Sequence, residues 1–463
     1  WQVLETGFLV MFLYPVFSRS PFPKEYPTPF VVIFLCRWLA FRVMLGTGLS
    51  KMGTNASVCW RQLTCTTTHY ETQPIPNAIA WFMHHLPLPI HKLECVIALT
   101  VELVTPVLML VPFRNVRIVG GILPIFLMAM IIITGSYAYI NWITLVPFAA
   151  CFDDAFLKCV FPAVVVAEVQ HADSHWAENA PTRPSKPFPV IGAFDFSLRY
   201  NPSGTKSQQS GIFNFAQRAL GMLACTILAA VVATKSVNPL LEMMGPSPWL
   251  QFYDEYFLVN AYGVFGFINK ERIGVALEYT HDRKLWKNLD FPAVPGSPNR
   301  MPAYVTPYHY RADWQVWIET TASMEQNPFQ SWAFGGVPSF MQTLIEKVVA
   351  GDTLAASLLA VPFSEMFLNG QPPVAVRATP YLYTYSDFNS LLQGHWWNRS
   401  GFAGTLGQYM TPVLLDKAWS GEVSHLPPTR DWVLLYITFG FAASLIALVR
   451  APSDHMEHYI YAG

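Results

Sequence analysis

Charge is scarce in this chain: Asp, Glu, Lys and Arg together make up 13% of its 463 residues, about half the share of a soluble domain. What charge there is cancels, with 29 basic residues against 30 acidic, so no basic footprint marks a nucleic-acid partner and none is expected. Cysteine is missing from one half. All seven cysteines (Cys36, Cys59, Cys65, Cys95, Cys151, Cys159 and Cys225) come early, and the long polar stretch after residue 235 has none. That asymmetry leans towards a reducing side for the polar stretch, because domains in an oxidising lumen often carry disulfides. No Gly-x-Ser-x-Gly elbow is present, which removes the usual first member of a hydrolase triad. The first apolar run, Phe8–Phe17, has neither a basic n-region nor a small-residue cleavage site, so no signal-peptide pattern is read there. The last residues, Tyr459 to Gly463, are no retrieval signal of the usual type. The opening Trp1, in place of Met, is the start expected of a processed or an incomplete form.

Apolar and aromatic residues fill the space that charge leaves, at 52% and 15% of the chain, with 33 Phe, 20 Tyr and 15 Trp. That balance points to a bilayer, where Trp and Tyr favour the interfaces. Runs of the length a membrane span needs, roughly 20 mostly apolar residues, are Phe30–Leu49, Cys95–Val111, Val116–Ile133, Phe213–Val232 and Trp432–Val449. The stretch Ile140–Val169 is apolar but broken by Pro147, Asp153, Asp154, Lys158 and Pro162. It reads as one kinked span, as a hairpin of two short helices, or as a span followed by an interfacial helix. With the piece before Pro21 as the end of another span, the total is six or seven. The short basic turn Arg114-Asn115-Val116-Arg117 belongs on the cytoplasm-like side, which puts the Lys51–His91 loop on the other. Whether Ile140–Val169 crosses once or twice then decides which side the polar domain faces.

Two polar regions interrupt the spans. His171–Gly211 is rich in Pro, Ser and Asn and reads as an irregular connection. Within 236–430, Ile273, Val275, Leu277 and Tyr279 alternate with Gly274, Ala276 and Glu278 as in a half-buried strand, and Tyr381, Tyr383 and Tyr385 repeat the period of two. Trp314, Trp317, Ile318 and Thr321 follow helical spacing, as do Phe340, Met341, Leu344, Ile345 and Val348 after Pro338 and Ser339. The expected fold is a polytopic α-helical membrane protein with an inserted soluble α+β domain before the last span. Its parts are 1–235, a multi-span membrane domain with polar loops 51–93 and 171–211; 236–430, the soluble domain; and 431–463, a C-terminal transmembrane helix and tail.

Charges inside spans need a partner, since one at bilayer depth costs about 2.5–3.5 kcal/mol even on insertion scales. Arg37 and Arg42 lie in one apolar run, and Glu94 and Glu102 start and occupy another. The expectation is an Arg42–Glu102 ion pair locking two helices. His69, Glu71, His84, His85 and His91 are residue types that suit zinc, but they lack tight ligand spacing and read better as a packed loop cap. Cys59 and Cys65 flank five residues and would close a small disulfide loop if that side is oxidising. Asn55-Ala56-Ser57 and Asn398-Arg399-Ser400 match the glycosylation sequon; Asn398, farther from the membrane, is the meaningful one. His309 and Asp313 are spaced to be neighbours on a helix, yet without a nucleophile they read as a structural latch.

Several strings resemble the lipase maturation factor family. They are Arg37-Trp38-Leu39-Ala40-Phe41-Arg42, Gly46-Thr47-Gly48-Leu49, Cys59 to Cys65, and His69-Tyr70-Glu71-Thr72-Gln73-Pro74. His84-His85, Glu102 before Pro106 and Asn141-Trp142 follow. In the polar half come Asn260 to Gly266, Lys270-Glu271-Arg272, and Pro307-Tyr308-His309-Tyr310-Arg311-Ala312-Asp313-Trp314. Asn327-Pro328, Val361-Pro362-Phe363, Pro372-Pro373, and Gly394 before Trp396-Trp397 complete the set, in order from about residue 30 to 412. The resemblance implies an endoplasmic-reticulum membrane protein that helps secreted lipases fold and assemble, through membrane lipids and a protein client, with no catalytic residues, cofactor or metal. One departure stands out: where the family pattern leads to two cysteines, this chain has Ala293 and Ala303. That loss suits a rival reading, a stoichiometric accessory subunit among neighbouring subunits of a large membrane complex, such as a respiratory one in the mitochondrial inner membrane.

Overall fold

The computed structural model describes residues 1–13, 28–170, 208–245, 254–325, 339–401 and 413–416. The expected span Trp432–Val449, nearly all of the 171–211 connection, Asn327-Pro328 and Pro338 lie outside the described residues.

Among the described residues four helical stretches are long and apolar enough to cross a membrane: Phe30–Met52 (α2), Leu88–Leu110 (α6), Arg114–Thr134 (α7) and Leu220–Met243. The last runs through Gln208–Lys235 (α10) into Val237–Met243 (α11). At 23 residues, α2 and α6 are each about 34 Å long, enough for a hydrocarbon core of about 30 Å. Helices α6 and α7 form an antiparallel hairpin through a tight turn at Val111–Phe113. Two shorter helices complete the bundle, Gln2–Met11 (α1) and Ile140–Phe148 (α8), the latter extended by a 3-10 turn to Cys151. The ambiguous stretch 140–169 therefore becomes separate short helices. Asp153 caps the next one, Asp154–Val160 (α9), by accepting a 2.9 Å bond from the Phe156 N–H, and Pro162 precedes a further helical stretch over 163–170.

The loop between α2 and α6 folds into three short helices, Val58–Gln62 (α3), Thr66–Thr72 (α4) and Ala78–His84 (α5). The polar half forms a five-stranded antiparallel sheet in the order β2-β1-β3-β4, with β5 also paired to β3. Its strands are Arg272–Thr280 (β1), Lys287–Asn288 (β2), Ala375–Tyr385 (β3), Trp397–Gly401 (β4) and Val413–Asp416 (β5). The alternation in β1 puts Val275, Leu277 and Tyr279 into one core with Val316 of Arg311–Glu325 (α12) and with Met341, Leu344, Ile345 and Val348 of Ser339–Val349 (α13). Two single-turn helices, Thr353–Ala356 (α14) and Phe363–Met366 (α15), lead into β3, and Phe388–Leu392 (α16) joins β3 to β4.

Two ends of the bundle can be told apart. At one, Arg114 pairs with Asp153 and Arg117 donates to the Cys151 carbonyl at 3.0 Å. At the other, the C-terminus of α7 meets the α3–α5 loop: Asn77 donates to the Ile133 carbonyl at 2.9 Å, and the Ser136 N–H to that of Ile75 at 3.1 Å. The sheet docks at this second end, away from the basic turn.

The boundary expected at 236 falls inside the bundle. The segment 254–268 has almost no regular structure and climbs alongside α2. Its approach needs glycine, because a Cβ at Gly46 would strike the Tyr262 carbonyl, and one at Gly266 would stand 2.6 Å from that of Ser50. Irregular backbone at membrane depth survives only when protein surrounds it, and here Val259, Asn260 and Ala261 are buried.

Candidate functional site

The intramembrane charges form two knots, and neither is the expected Arg42–Glu102 pair. Arg42, fully buried halfway along α2, pairs with Glu5 of α1 and donates to the Asn260 carbonyl at 2.6 Å. Glu5 also accepts from the Asn260 N–H at 3.2 Å, its side-chain amide at 3.1 Å and the Tyr262 hydroxyl at 2.7 Å. Glu102 instead takes Lys51, whose ammonium lies 2.6–2.7 Å from both carboxylate oxygens and 5.2 Å from the Trp60 ring centre. The reason is depth: Arg42 lies beside α1 and the 254–268 segment, whereas Glu102 packs its Cβ against Gly48, near the end of α2 where Lys51 is. Arg37 donates to the Ala150 carbonyl at 2.6 Å.

A third buried cluster joins helices to sheet and takes in Tyr70, Glu71 and Trp397 from the residues singled out in the sequence. Arg272, at the first position of β1, donates to the backbone carbonyls of Glu71, Gln73 and Pro74, the first and last at 3.1 Å. Three carbonyls facing one guanidinium suit its planar fork, and burial lowers its pKa to about 10. The Glu71 carboxylate accepts the Tyr385 N–H at 3.0 Å and lies 3.6 Å from His84. Burial raises its pKa, against the lowering pull of that bond and of Arg272. Tyr385 donates to the Tyr70 carbonyl at 3.2 Å and stacks on Trp397 with centroids 4.3 Å apart. Trp317 reaches the Thr72 carbonyl at 3.1 Å, and Gln73 donates to that of Thr134 at 3.0 Å. So β1, β3 and α12 hold the 70–74 segment, β4 backs them through Trp397, and Gln73 ties the segment to α7.

Around this latch, histidines act as packed acceptors and donors. His69, partly buried, meets the Tyr137 hydroxyl at 2.9 Å, and desolvation with nearby Lys51 lowers its pKa to about 4. His84 is lowered to about 4 as well, by burial and by His85 and His91. His91 contacts the Thr66 hydroxyl at 3.1 Å and Glu94 at 3.2 Å, and Glu94 accepts from Tyr70 at 3.0 Å. Among the described residues no three His, Cys, Asp or Glu side chains gather as a metal site. Cys59 and Cys65 are joined by a disulfide, with Cα atoms 4.8 Å apart.

The structure separates His309 from Asp313. Asp313 turns inwards, accepting the Ala293 and Val294 N–H groups at 2.6 and 2.8 Å, and burial raises its pKa. His309 faces the rings of Tyr139 and Trp314. Tyr310 packs at the edge of the sheet core and against the Tyr308 ring, and Arg311 is exposed at the start of α12. Trp396 meets Trp81 edge-on at 6.3 Å. Asn398 is exposed on β4. Sequence reading missed Glu5, Lys51, Gln73, Arg272 and Tyr385 as partners. Each joins segments far apart in the chain, and only their place in the recurring strings marked Gln73 and Arg272.

This architecture agrees with the comparisons. The lipase maturation factor transmembrane domain matches residues 1–159 and the lipase maturation factor C-terminal domain matches residues 258–406. Mouse lipase maturation factor 1 is 33% identical over 94% of this chain and 68% of its own length. The human protein of that name is 33% identical over 90% of this chain and 66% of its own. Lipase maturation factor 2 of Xenopus tropicalis is 26% identical over 86% of the chain and 63% of its own length. The chain thus spans about two thirds of the length of these relatives. No solved structure matches it. With both domain families found in order and lipase maturation factor 1 related over nearly the whole chain, the chain belongs to the lipase maturation factor family.

Proposed function

We propose that this protein acts without catalysis in the folding and assembly of secreted lipases, from the endoplasmic-reticulum membrane, with its sheet domain in the lumen. The observation that carries the reading is the relation to lipase maturation factor 1 across both domains. Geometry supports the orientation: the sheet and the disulfide-bonded loop share the end opposite the basic Arg114–Arg117 turn. Basic turns remain cytoplasmic, and disulfides persist in the lumen. At the end of the sheet farthest from the latch, Leu354, Leu358, Phe363 and Leu368 are exposed. An apolar surface of this kind offers an unfinished lipase somewhere to rest its own unburied residues.

The test is complementation. Expressed in cells lacking their own lipase maturation factor, the chain restores secreted lipase activity, and a Phe363→Asp/Leu368→Asp variant restores much less at equal abundance. Correct membrane insertion without any restoration, or purification with a constant set of inner-membrane subunits, overturns the reading.

A further inference from the structure

Helix α5 belongs to the loop and α16 to the sheet domain, yet the two meet. The Phe388 ring packs edge-on against Trp81 at 4.7 Å and against His85 at 5.4 Å, and Trp81 meets Phe82 at 5.1 Å. Behind these contacts both helices leave apolar side chains uncovered: Ile79 and Phe82 on α5, Phe388 and Leu392 on α16, with Leu392 87% exposed. Phe388 and Leu392 are four apart and share one helical face.

The location identifies what covers them. Asn77, the cap of α5, is bonded to the Ile133 carbonyl at the end of α7, and Ile133 is itself exposed. Four residues after His84, α6 begins with Leu88, Ile90 and Leu93 exposed, continuing to Val96 and Ile97. The uncovered face of α5 and α16 is thus continuous with the exposed apolar faces of two spanning helices, at the depth where they leave the hydrocarbon. Elsewhere at this end of the bundle Tyr139, Trp142, Tyr304 and Tyr308 are exposed, as in an interfacial aromatic belt.

We infer that α5 and α16 form a foot that lies in the lipid interface, so that the sheet domain rests on the membrane surface as well as on the helical bundle. The partner is the lipid leaflet, and the foot does not depend on which client the protein serves. Short amphipathic helices bury their apolar face into the boundary between headgroups and acyl chains.

The test places a bimane fluorophore on Leu392→Cys in the full chain carrying Cys159→Ser, reconstituted in phosphatidylcholine vesicles. Cys36, Cys95, Cys151 and Cys225 are buried and remain unlabelled. Lipid carrying a doxyl group high on the acyl chain is expected to quench this label at least about twofold, and iodide in the buffer to quench it little, as for interfacial helices. The same label on Leu354→Cys, exposed at the far end of the domain, should respond in the opposite way. Equal behaviour of the two positions overturns the inference. Shielding of position 392 from both quenchers overturns it too, because that marks a contact with protein.

Discussion

The helical bundle and the sheet domain bury opposite things. In the sheet domain the interior is apolar, with Val275, Leu277, Ile345, Val348 and Val376 all nearly solvent-free, and its charged residues are mostly at the surface. In the bundle the outward faces carry Val104, Val107, Val119 and Phe126, while Arg42, Glu5, Lys51 and Glu102 are at the centre. Lipid is as apolar as Leu, so packing Leu against Leu gains little there and polar contacts help to fix which helices meet. Water makes the reverse choice for the sheet. The Arg272 latch lies where the two regimes join and uses one charge against backbone carbonyls from a neighbouring segment.

The comparison can be broken at the bundle first. Arg42→Met leaves Glu5 buried without its cation, a loss of about 3–5 kcal/mol, and should abolish the monodisperse species in size exclusion. Adding Glu5→Gln should recover most of it, since the amide oxygen still accepts from Asn260 and Tyr262. At the junction, Arg272→Lys keeps the charge but loses the fork, for about 2 kcal/mol. Limited proteolysis should then cut at the exposed Lys270-Glu271, between the threaded segment and β1, without disturbing the bundle.

Acid should loosen the junction more gently. The folded state holds His69 and His84 neutral, their pKa values lowered from 6.5 to about 4 by burial. The unfolded chain takes those protons earlier. Stability from both histidines is therefore complete above pH 6.5 and is lost as pH falls towards 4. His69 faces Tyr137 and Lys51, and His84 faces Glu71, His85 and His91. Glu71, with its raised pKa, works in the opposite sense and should blunt the fall. Thermal unfolding in nanodiscs at pH 7.5 and 4.5 measures this, and His69→Asn should flatten the slope. The smallest effect belongs to Asn398→Gln, exposed on β4: stability should change by less than about 0.5 kcal/mol. If the sheet is lumenal, one glycan should vanish from an endoglycosidase gel shift.

How much was legible follows from the same physics. Long apolar runs announce spans because a bilayer sets their length, and four of the five proposed appear among the described residues. The period of two in β1 and of 3.6 in α12 and α13 was equally plain. The partner of Arg42 was not, because helical spacing says which residues share a face, not which helix that face meets. Glu5 lies in a ten-residue helix, too short to register as a span. Lys51 stands in sequence at the start of the Lys51–His91 loop, yet it lies in the last turn of α2, buried against Glu102. The 254–268 segment reads as part of the soluble domain, since nothing in the sequence reveals that α2 supplies its surroundings.

That threaded segment sets a clock. Asn260 follows Arg42 by 218 residues, and at ribosomal speeds of about 5–20 residues per second the wait is on the order of ten seconds or more. Through that interval α1 and α2 must stay side by side with their groove open, or find it filled by the wrong strand. The N-terminal domain is thus finished by its C-terminal neighbour, and a nascent chain stalled before residue 254 should be a substrate for membrane quality control, itself in want of a chaperone.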